Sequence, residues 1–259
     1  MLGAACGGVL LTELGAASGF VVNAASFALI VLMLATLSRG ELAPQMPVAR
    51  EPGQIRQGLR YVCSDHVLVA TAIMMLVVFP AAYNFQIAIA LIVSTTLAGD
   101  GQTYGALMAV LGLGALAGSV LLTRWVRTGL PAIIAWTGTL AVAQAMASAV
   151  HSLELLLAAC FAYGVSASLF SVTVVGTLQA RTRDEMRGRV MALYAICFNG
   201  SVLWGGPAFG GIAQWLGVSA ALRGSAAICA LLALAAAGYR LSAKFIQSGE
   251  RRYSADYQP

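Results

Sequence analysis

Residues 155–180 read LLLAACFAYGVSASLFSVTVVGTLQA and contain no Asp, Glu, Lys or Arg. A helix needs about 20 mostly apolar residues to cross a bilayer, so this stretch is long enough to span one. Six further stretches lack these four charged residue types: 14–38, 66–99, 101–123, 128–153, 190–222 and 224–239. The last is the shortest, and it spans a membrane once its flanking arginines extend towards the headgroups. The sequence therefore predicts seven transmembrane helices, with cores near 16–37, 68–92, 103–123, 131–150, 155–179, 190–214 and 219–239.

The composition excludes a soluble globular domain. Hydrophobic residues make up 59% of the chain and charged residues 10%, with a mean hydropathy of +0.83. Soluble domains have roughly 45–50% apolar and about 25% charged residues. Strands of membrane barrels are about 10 residues of alternating pattern, whereas these stretches are long and continuously apolar. The predicted fold class is an all-α polytopic membrane helical bundle.

The basic residues indicate how the chain is oriented. With seven spans, fourteen of the 15 Lys and Arg residues fall on one side of the membrane, and only Arg223 falls on the other. Short cytoplasmic loops carry the Lys and Arg excess. We therefore predict a cytoplasmic C-terminal tail, 241–259. The Ala-, Gly- and Arg-rich composition is typical of a bacterial gene, which predicts a multi-pass protein of the bacterial cytoplasmic (inner) membrane.

The hydrophilic segment 39–66 divides the chain. Its first half holds three prolines and is predicted to be a linker. Its second half is predicted to form a short amphipathic helix on the membrane surface, with an apolar face of Ile55, Leu59 and Val62. It separates one span, 13–38, from a six-helix unit, 67–240.

Residues 1–12 are apolar but too short to cross a bilayer. They are predicted to be the end of a truncated helix whose first half is missing. The alternative is a short re-entrant or interfacial leader.

Two small-residue motifs predict close helix packing. Gly114 to Gly118 and Gly206 to Gly210 have GxxxG spacing, which lets two backbones approach closely in lipid. The neighbouring Pro207 removes a backbone donor and can bend its helix.

Several motifs carry a resemblance to a known family. The most specific is DEMRGRVMALY at 184–194, and it is accompanied by GLRYV at 58–62, NFQ at 84–86 and YG at 104–105. They resemble the major facilitator superfamily of transporters, and within it the enterobactin-exporter-like, or transmembrane secretion effector, branch. The resemblance implies that this chain is the C-terminal part: the six-helix half, one preceding span and a truncated helix end.

The resemblance also implies that the second, third, fifth and sixth spans flank a central cavity. Polar and aromatic residues within these spans are expected to turn inward, because lipid offers no hydrogen-bond partners. The alternative is that Ser and Thr bond their own helix backbone and that Tyr only packs. The predicted substrate-binding residues are Tyr83, Gln86, Tyr163, Ser166, Phe170 and Asn199.

A charged cluster precedes the sixth span in a predicted cytoplasmic loop. It is either a gate, in which charge pairs hold helices together in one access state, or a set of solvated pairs that contribute little. The predicted gating residues are Arg181, Asp184, Arg187 and Arg189.

The predicted function is part of a secondary active transporter that exports small amphipathic molecules, siderophore-like or drug-like, by alternating access. No carboxylate lies within a predicted span, so proton coupling is expected to use a missing N-terminal half. The partners are a small-molecule substrate and the lipid bilayer, with no nucleic acid, cofactor, metal or catalytic residue. Two alternatives remain: a non-transporting truncated or split-gene fragment and, with less support, a membrane-embedded enzyme.

Overall fold

A computed structural model of the chain describes residues 16–36, 53–97, 99–125, 128–150 and 152–255. Within these ranges the chain forms helices and no strands. The helices are α1 (Ala16–Thr36), α2 (Gln54–Val62), α3 (His66–Ala82), α4 (Phe85–Thr95), α5 (Gly101–Trp125), α6 (Leu130–Ser148), α7 (Leu153–Arg181), α8 (Asp184–Leu216) and α9 (Val218–Ala255). The predicted truncated helix end, 1–12, and the first half of the central segment lie outside the described residues.

The seven predicted spans are confirmed. Among the described residues, seven helical segments are long and apolar enough to cross a membrane, and each overlaps one predicted core. They are Ser18–Thr36, His66–Thr95, Gly101–Val120, Leu130–Ser148, Leu153–Arg181, Asp184–Leu216 and Val218–Arg240. The chain is therefore a polytopic helical bundle.

The second span is broken near its middle, whereas the sequence predicts one continuous core over 68–92. α3 ends at Ala82 and α4 begins at Phe85, within one 30-residue apolar segment. Pro80 lies in the last turn of α3 and has no backbone N–H to donate. The side-chain amide of Asn84 donates to the carbonyl oxygen of Pro80 at 2.9 Å, which satisfies an acceptor that the interrupted helix would leave free.

The first GxxxG motif is confirmed as a packing face, and its partner is α7. A Cβ on Gly114 would overlap the carbonyl oxygen of Phe161. A Cβ on Gly118 would lie 2.7 Å from the carbonyl oxygen of Val165. Gly164 of α7 packs against α5 in the same way, because a Cβ at this position would overlap the carbonyl oxygen of Leu111. Three glycines therefore bring the backbones of α5 and α7 together.

The second GxxxG motif behaves differently from the prediction. A Cβ on Gly210 would meet no described atom within 4 Å, so that end of the motif is not a packing face. The close approach is made by Gly205, where a Cβ would overlap the Asn84 amide and lie 2.7 Å from the Pro80 carbonyl oxygen. α8 therefore contacts the second span at its break.

The remaining packing joins the six C-terminal spans. α6 packs between α7 and α9, while α3 packs against both α8 and α9. In contrast, every side chain of α1 from Phe20 to Thr36 is exposed. The core of the described bundle lies among α3 to α9 and includes the fully buried side chains of Phe79, Leu107 and Phe170.

Candidate functional site

An aromatic cluster surrounds the broken part of the second span. Phe79, in the last turn of α3, is fully buried and contacts four other rings edge to face, at interplanar angles between 79° and 90°. Aromatic pairs favour this arrangement because the positive edge of one ring meets the negative face of another. The ring centroids lie 4.9 Å from Phe79 for Tyr83, 5.2 Å for Phe198, 5.7 Å for Phe170 and 5.8 Å for Tyr194. The cluster joins α3, α7 and α8.

Two tyrosine hydroxyls tie the break to α7. Tyr163 of α7 donates to the carbonyl oxygen of Ala82, the last residue of α3, at 2.6 Å. Tyr83 donates in the opposite direction, to the carbonyl oxygen of Ala167, at 2.8 Å. An unpaired backbone carbonyl costs several kcal/mol in lipid, so the bond to Ala82 stabilises the break, while the bond to Ala167 gives the Tyr83 hydroxyl an acceptor on α7. We refer to Tyr83, Tyr163 and their two acceptors as the tyrosine clamp.

Tyr163 is also fixed by a ring on the other half of the span. Its ring stacks on Phe85, the first residue of α4, with centroids 4.0 Å apart and an interplanar angle of 11°. The hydroxyl contacts the end of α3 while the ring contacts the start of α4. A single side chain of α7 therefore holds both halves of the second span.

The predicted substrate-binding residues fall into two groups. Tyr83, Tyr163 and Phe170 meet in the aromatic surroundings of the break. Ser166 is buried, and its hydroxyl donates to Ala162 of its own helix at 2.8 Å, as the packing alternative expected.

Gln86 and Asn199 are exposed and do not belong to the buried cluster. The side-chain amide of Asn199 donates to the carbonyl oxygen of Ala195 in its own helix at 2.7 Å. Gln86 lies in the first turn of α4, immediately after the break. The structure thus separates a packing group from two polar side chains that are exposed in the described bundle.

The sequence places Phe79 on one helix face with Tyr83 and Gln86, but neither Phe79, the centre of the cluster, nor the stacking partner Phe85 is among the six predicted substrate-binding residues. The spacing of four residues between Phe79 and Tyr83, and between Tyr194 and Phe198, places each pair on one helix face. This four-residue spacing is the sequence feature that indicates a shared helix face for each pair. Nearby, the hydroxyls of Ser171 and Tyr194 lie 3.1 Å apart and share a hydrogen bond.

The charged cluster lies on helices rather than in a loop, which corrects the prediction. α7 ends at Arg181 and α8 begins at Asp184, so only Thr182 and Arg183 connect them. Asp184 and Glu185 occupy the first turn of α8, where negative charge is favourable to the helix dipole. A guanidinium nitrogen of Arg187 lies 2.7 Å from a carboxylate oxygen of Asp184.

Arg181 and Arg189 have other partners. Arg181 lies 3.7 Å from a carboxylate oxygen of Asp65, and Arg189 donates to the sulfur of Met186 at 3.2 Å. Asp65 also caps α3, because its carboxylate accepts from the backbone N–H of Val67 at 2.7 Å. Asp65 was missing from the predicted gate. An Asp directly before an apolar helix was the signal for its capping role.

The described residues include no group of three or more His, Cys, Asp or Glu side chains that could hold a metal ion.

A family model described as transmembrane secretion effector matches residues 1–258 of the 259-residue chain. A comparison with curated proteins finds no match.

Proposed function

Since the chain belongs to the transmembrane secretion effector family of the major facilitator superfamily, we propose that it is part of a secondary active exporter of small amphipathic molecules. The substrates would be siderophore-like or drug-like, and transport would proceed by alternating access. Family membership and seven apolar helices favour a multi-pass membrane transporter over a membrane-embedded enzyme. No observation favours a fragment without transport activity.

The break in the second span is the observation that best supports a transport site here. In secondary transporters, substrate sites near the bilayer midplane are typically formed by discontinuous helices. The break at residues 83–84 lies close to the middle of His66–Thr95. It is also where three elements, α3, α7 and α8, meet through one aromatic cluster.

We assign substrate contact to the exposed polar residues and positioning to the buried ones. The Gln86 carboxamide offers both hydrogen-bond donors and an acceptor at the exposed start of α4. Asn199 is the second exposed amide on the flanking helix α8. Tyr163, Ser166 and Phe170 are buried and Tyr83 is half-buried, and these side chains hold the helices that carry the two amides. An apolar surface with a few polar groups suits an amphipathic substrate.

Proton coupling is proposed to depend on a second helical half. The seven charge-free stretches of the sequence hold no carboxylate that could take up a proton within the membrane. In major facilitator proteins the substrate site lies at the interface of two repeats, and alternating access moves one against the other. An acidic residue of an N-terminal half would then supply coupling to a site that both halves form.

The charge pairs at the α7–α8 corner are proposed as a cytoplasmic gate. The Arg181 and Asp65 pair links the end of α7 to the start of the second span. The Asp184 and Arg187 pair lies within the first turns of α8, with Arg189 two residues further on. This assignment uses the positive-inside orientation, with the C-terminus in the cytoplasm of a bacterial cell and the chain in its inner membrane.

The test is efflux of a cationic amphipathic dye and of a catecholate siderophore from efflux-deficient cells. The chain is expressed with the coding region upstream of Met1, so that a second half is supplied if that region encodes one. Gln86→Ala and Asn199→Ala are expected to lower export about fivefold or more at unchanged membrane levels, as loss of one substrate hydrogen bond implies. Val142→Ala, at an exposed position of α6, is the matched control. Export that is equal in all three variants would contradict the assignment.

A further inference from the structure

The short helix α2 is fastened to the α7–α8 corner. The Tyr61 hydroxyl accepts from the backbone N–H of Arg183 at 3.2 Å and donates to the carbonyl oxygen of Arg181 at 3.4 Å. Gly58 lets α2 lie close to α8, because a Cβ there would be 3.3 Å from the Cβ of Arg189. Val62 is buried on the same side. α2 is therefore an attached part of the bundle.

An apolar groove of about 300 Å³ lies beside α2, between α3 and α8. Its walls are aliphatic and sulfur-containing side chains, with Tyr194 as the one hydroxyl-bearing residue that lines it. The groove begins at Leu59 and Val62 on α2 and continues along Ile73, Leu76 and Leu193 into the membrane-spanning part of the bundle. Its apolar lining suits a hydrocarbon chain.

The exposed side of α2, the helix that contributes Leu59 and Val62 to this groove, carries positive charge. Arg56 and Arg60 are exposed, and neither forms an ion pair with another described residue. Ile55 and Leu59 are 70% and 54% exposed on the neighbouring face. An amphipathic helix with exposed basic and apolar faces lies in the membrane interface, where anionic lipids attract its charges. α2 is followed within four residues by the start of the second span, which places it at the membrane surface.

We propose that α2 and the groove beside it bind an anionic phospholipid. Its phosphate pairs with Arg56 and Arg60, and one acyl chain lies in the groove between α3 and α8. Because Tyr61 joins α2 to the backbone of Arg181 and Arg183, a bound lipid also stabilises the packed form of the α7–α8 corner. That regulatory consequence rests on the proposed gate, whereas the lipid site itself does not.

Lipid retention by the purified 259-residue chain tests the site without any transport assay. The chain in mild detergent is mixed with phosphatidylglycerol or phosphatidylcholine, and bound lipid is counted by native mass spectrometry. We expect preferential binding of phosphatidylglycerol. Each arginine removed should weaken that binding about fivefold, since one basic residue near an anionic surface contributes about that factor. The double variant Arg56→Gln/Arg60→Gln should bind both lipids equally.

Two further variants complete the test. Arg223→Gln removes an exposed arginine near the start of α9, far from α2 in the sequence, and it should keep the full preference. Ile73→Trp narrows the groove at a side chain that is 50% exposed, and it should weaken retention of both lipids alike. Equal retention of phosphatidylglycerol by the wild type and the double arginine variant would overturn the proposal. An equal loss in Arg223→Gln would overturn it too.

Discussion

The hydroxyl of Tyr163 donates a hydrogen bond of 2.6 Å to the carbonyl oxygen of Ala82, at the residue where the first half of the second span ends. A helix end leaves carbonyl groups without intrahelical partners, and in lipid no water replaces them. The tyrosine hydroxyl therefore makes an interrupted helix tolerable inside the bilayer. It also makes the position of the break dependent on α7.

Removal of the Tyr163 hydroxyl should destabilise the protein. Tyr163→Phe leaves a buried carbonyl without its donor, which costs about 1–3 kcal/mol. We expect purified Tyr163→Phe in detergent to have a lower thermal midpoint than the wild type. The midpoint is measured by size-exclusion chromatography after heating. Tyr239→Phe removes a hydroxyl from a side chain that is 62% exposed and serves as the control. Identical midpoints for the two variants would show that the clamp contributes nothing to stability.

The close approach of α5 and α7 should not tolerate even one methyl group. Gly164→Ala would place a Cβ against the backbone of Leu111, and two helix backbones would have to separate. Overpacking of this kind costs about 1–3 kcal/mol. Gly138→Ala on α6 meets no described atom within 4 Å and should gain up to about 1 kcal/mol from helix propensity. The midpoints of the two variants should therefore move in opposite directions, and a shared direction would contradict the packing.

Asp100 should give the start of α5 a pH-dependent contribution to stability. Its carboxylate accepts from the backbone N–H and the hydroxyl of Thr103 at 3.0 and 3.1 Å, which lowers the pKa of this carboxyl below its usual range. A folded-state pKa below the unfolded-state value means that the stabilisation is complete above the unfolded-state pKa. It is lost as the pH falls through the folded-state pKa.

The difference in thermal midpoint between the wild type and Asp100→Ala should accordingly shrink from neutral pH towards pH 3. Ser152 caps α7 through its hydroxyl, which accepts from Leu155 at 3.4 Å and does not titrate in this range. The corresponding difference for Ser152→Ala should stay constant. If the midpoint difference between the wild type and Asp100→Ala is the same at every pH, the Asp100 carboxylate does not stabilise the start of α5 through its charge.

The orientation of the bundle can be read from reporter fusions. A fusion after Lys244 should report the cytoplasm, and fusions at Asp100 or Glu154 the opposite side, because fourteen of 15 basic residues fall on the Lys244 side. Each position is fused to a phosphatase, which is active outside the cytoplasm, and separately to a green fluorescent protein, which fluoresces in the cytoplasm, and the two signals are compared. A cytoplasmic signal at Asp100 would reverse the orientation and remove the proposed cytoplasmic gate.

The seven spans were predictable because the length of an apolar stretch is a property of consecutive residues. The break at residues 83–84 was not, since the sequence from 66 to 99 is continuously free of charge and Pro80 is tolerated in transmembrane helices. The tyrosine clamp was hidden for another reason. Tyr163 and Ala82 are 81 residues apart, and only the packing of α7 on α3 brings them together.

The direction that each polar side chain faces was equally hidden. The sequence groups Gln86 and Asn199 with aromatic residues of the same spans, whereas in the described bundle the aromatic residues pack together and both amides are exposed. Phase along a helix fixes which residues share a face, but not which neighbour that face meets. The same limit applies to the proposed gate. The partner of Arg181 is Asp65, which lies more than a hundred residues away in the sequence and could not be inferred from the pattern around Arg181.

We infer that the broken second span borders the path of the substrate, and labelling of a cysteine at position 86 tests this inference. In a variant whose five native cysteines are replaced, Gln86→Cys is exposed to a membrane-impermeant maleimide, with and without a transported dye. Val142→Cys, at an exposed apolar position of α6, is the control. We predict that Cys introduced at 86 reacts, that the dye protects it and that the control does not react. No reaction at position 86, or reaction that the dye leaves unchanged, would contradict the account.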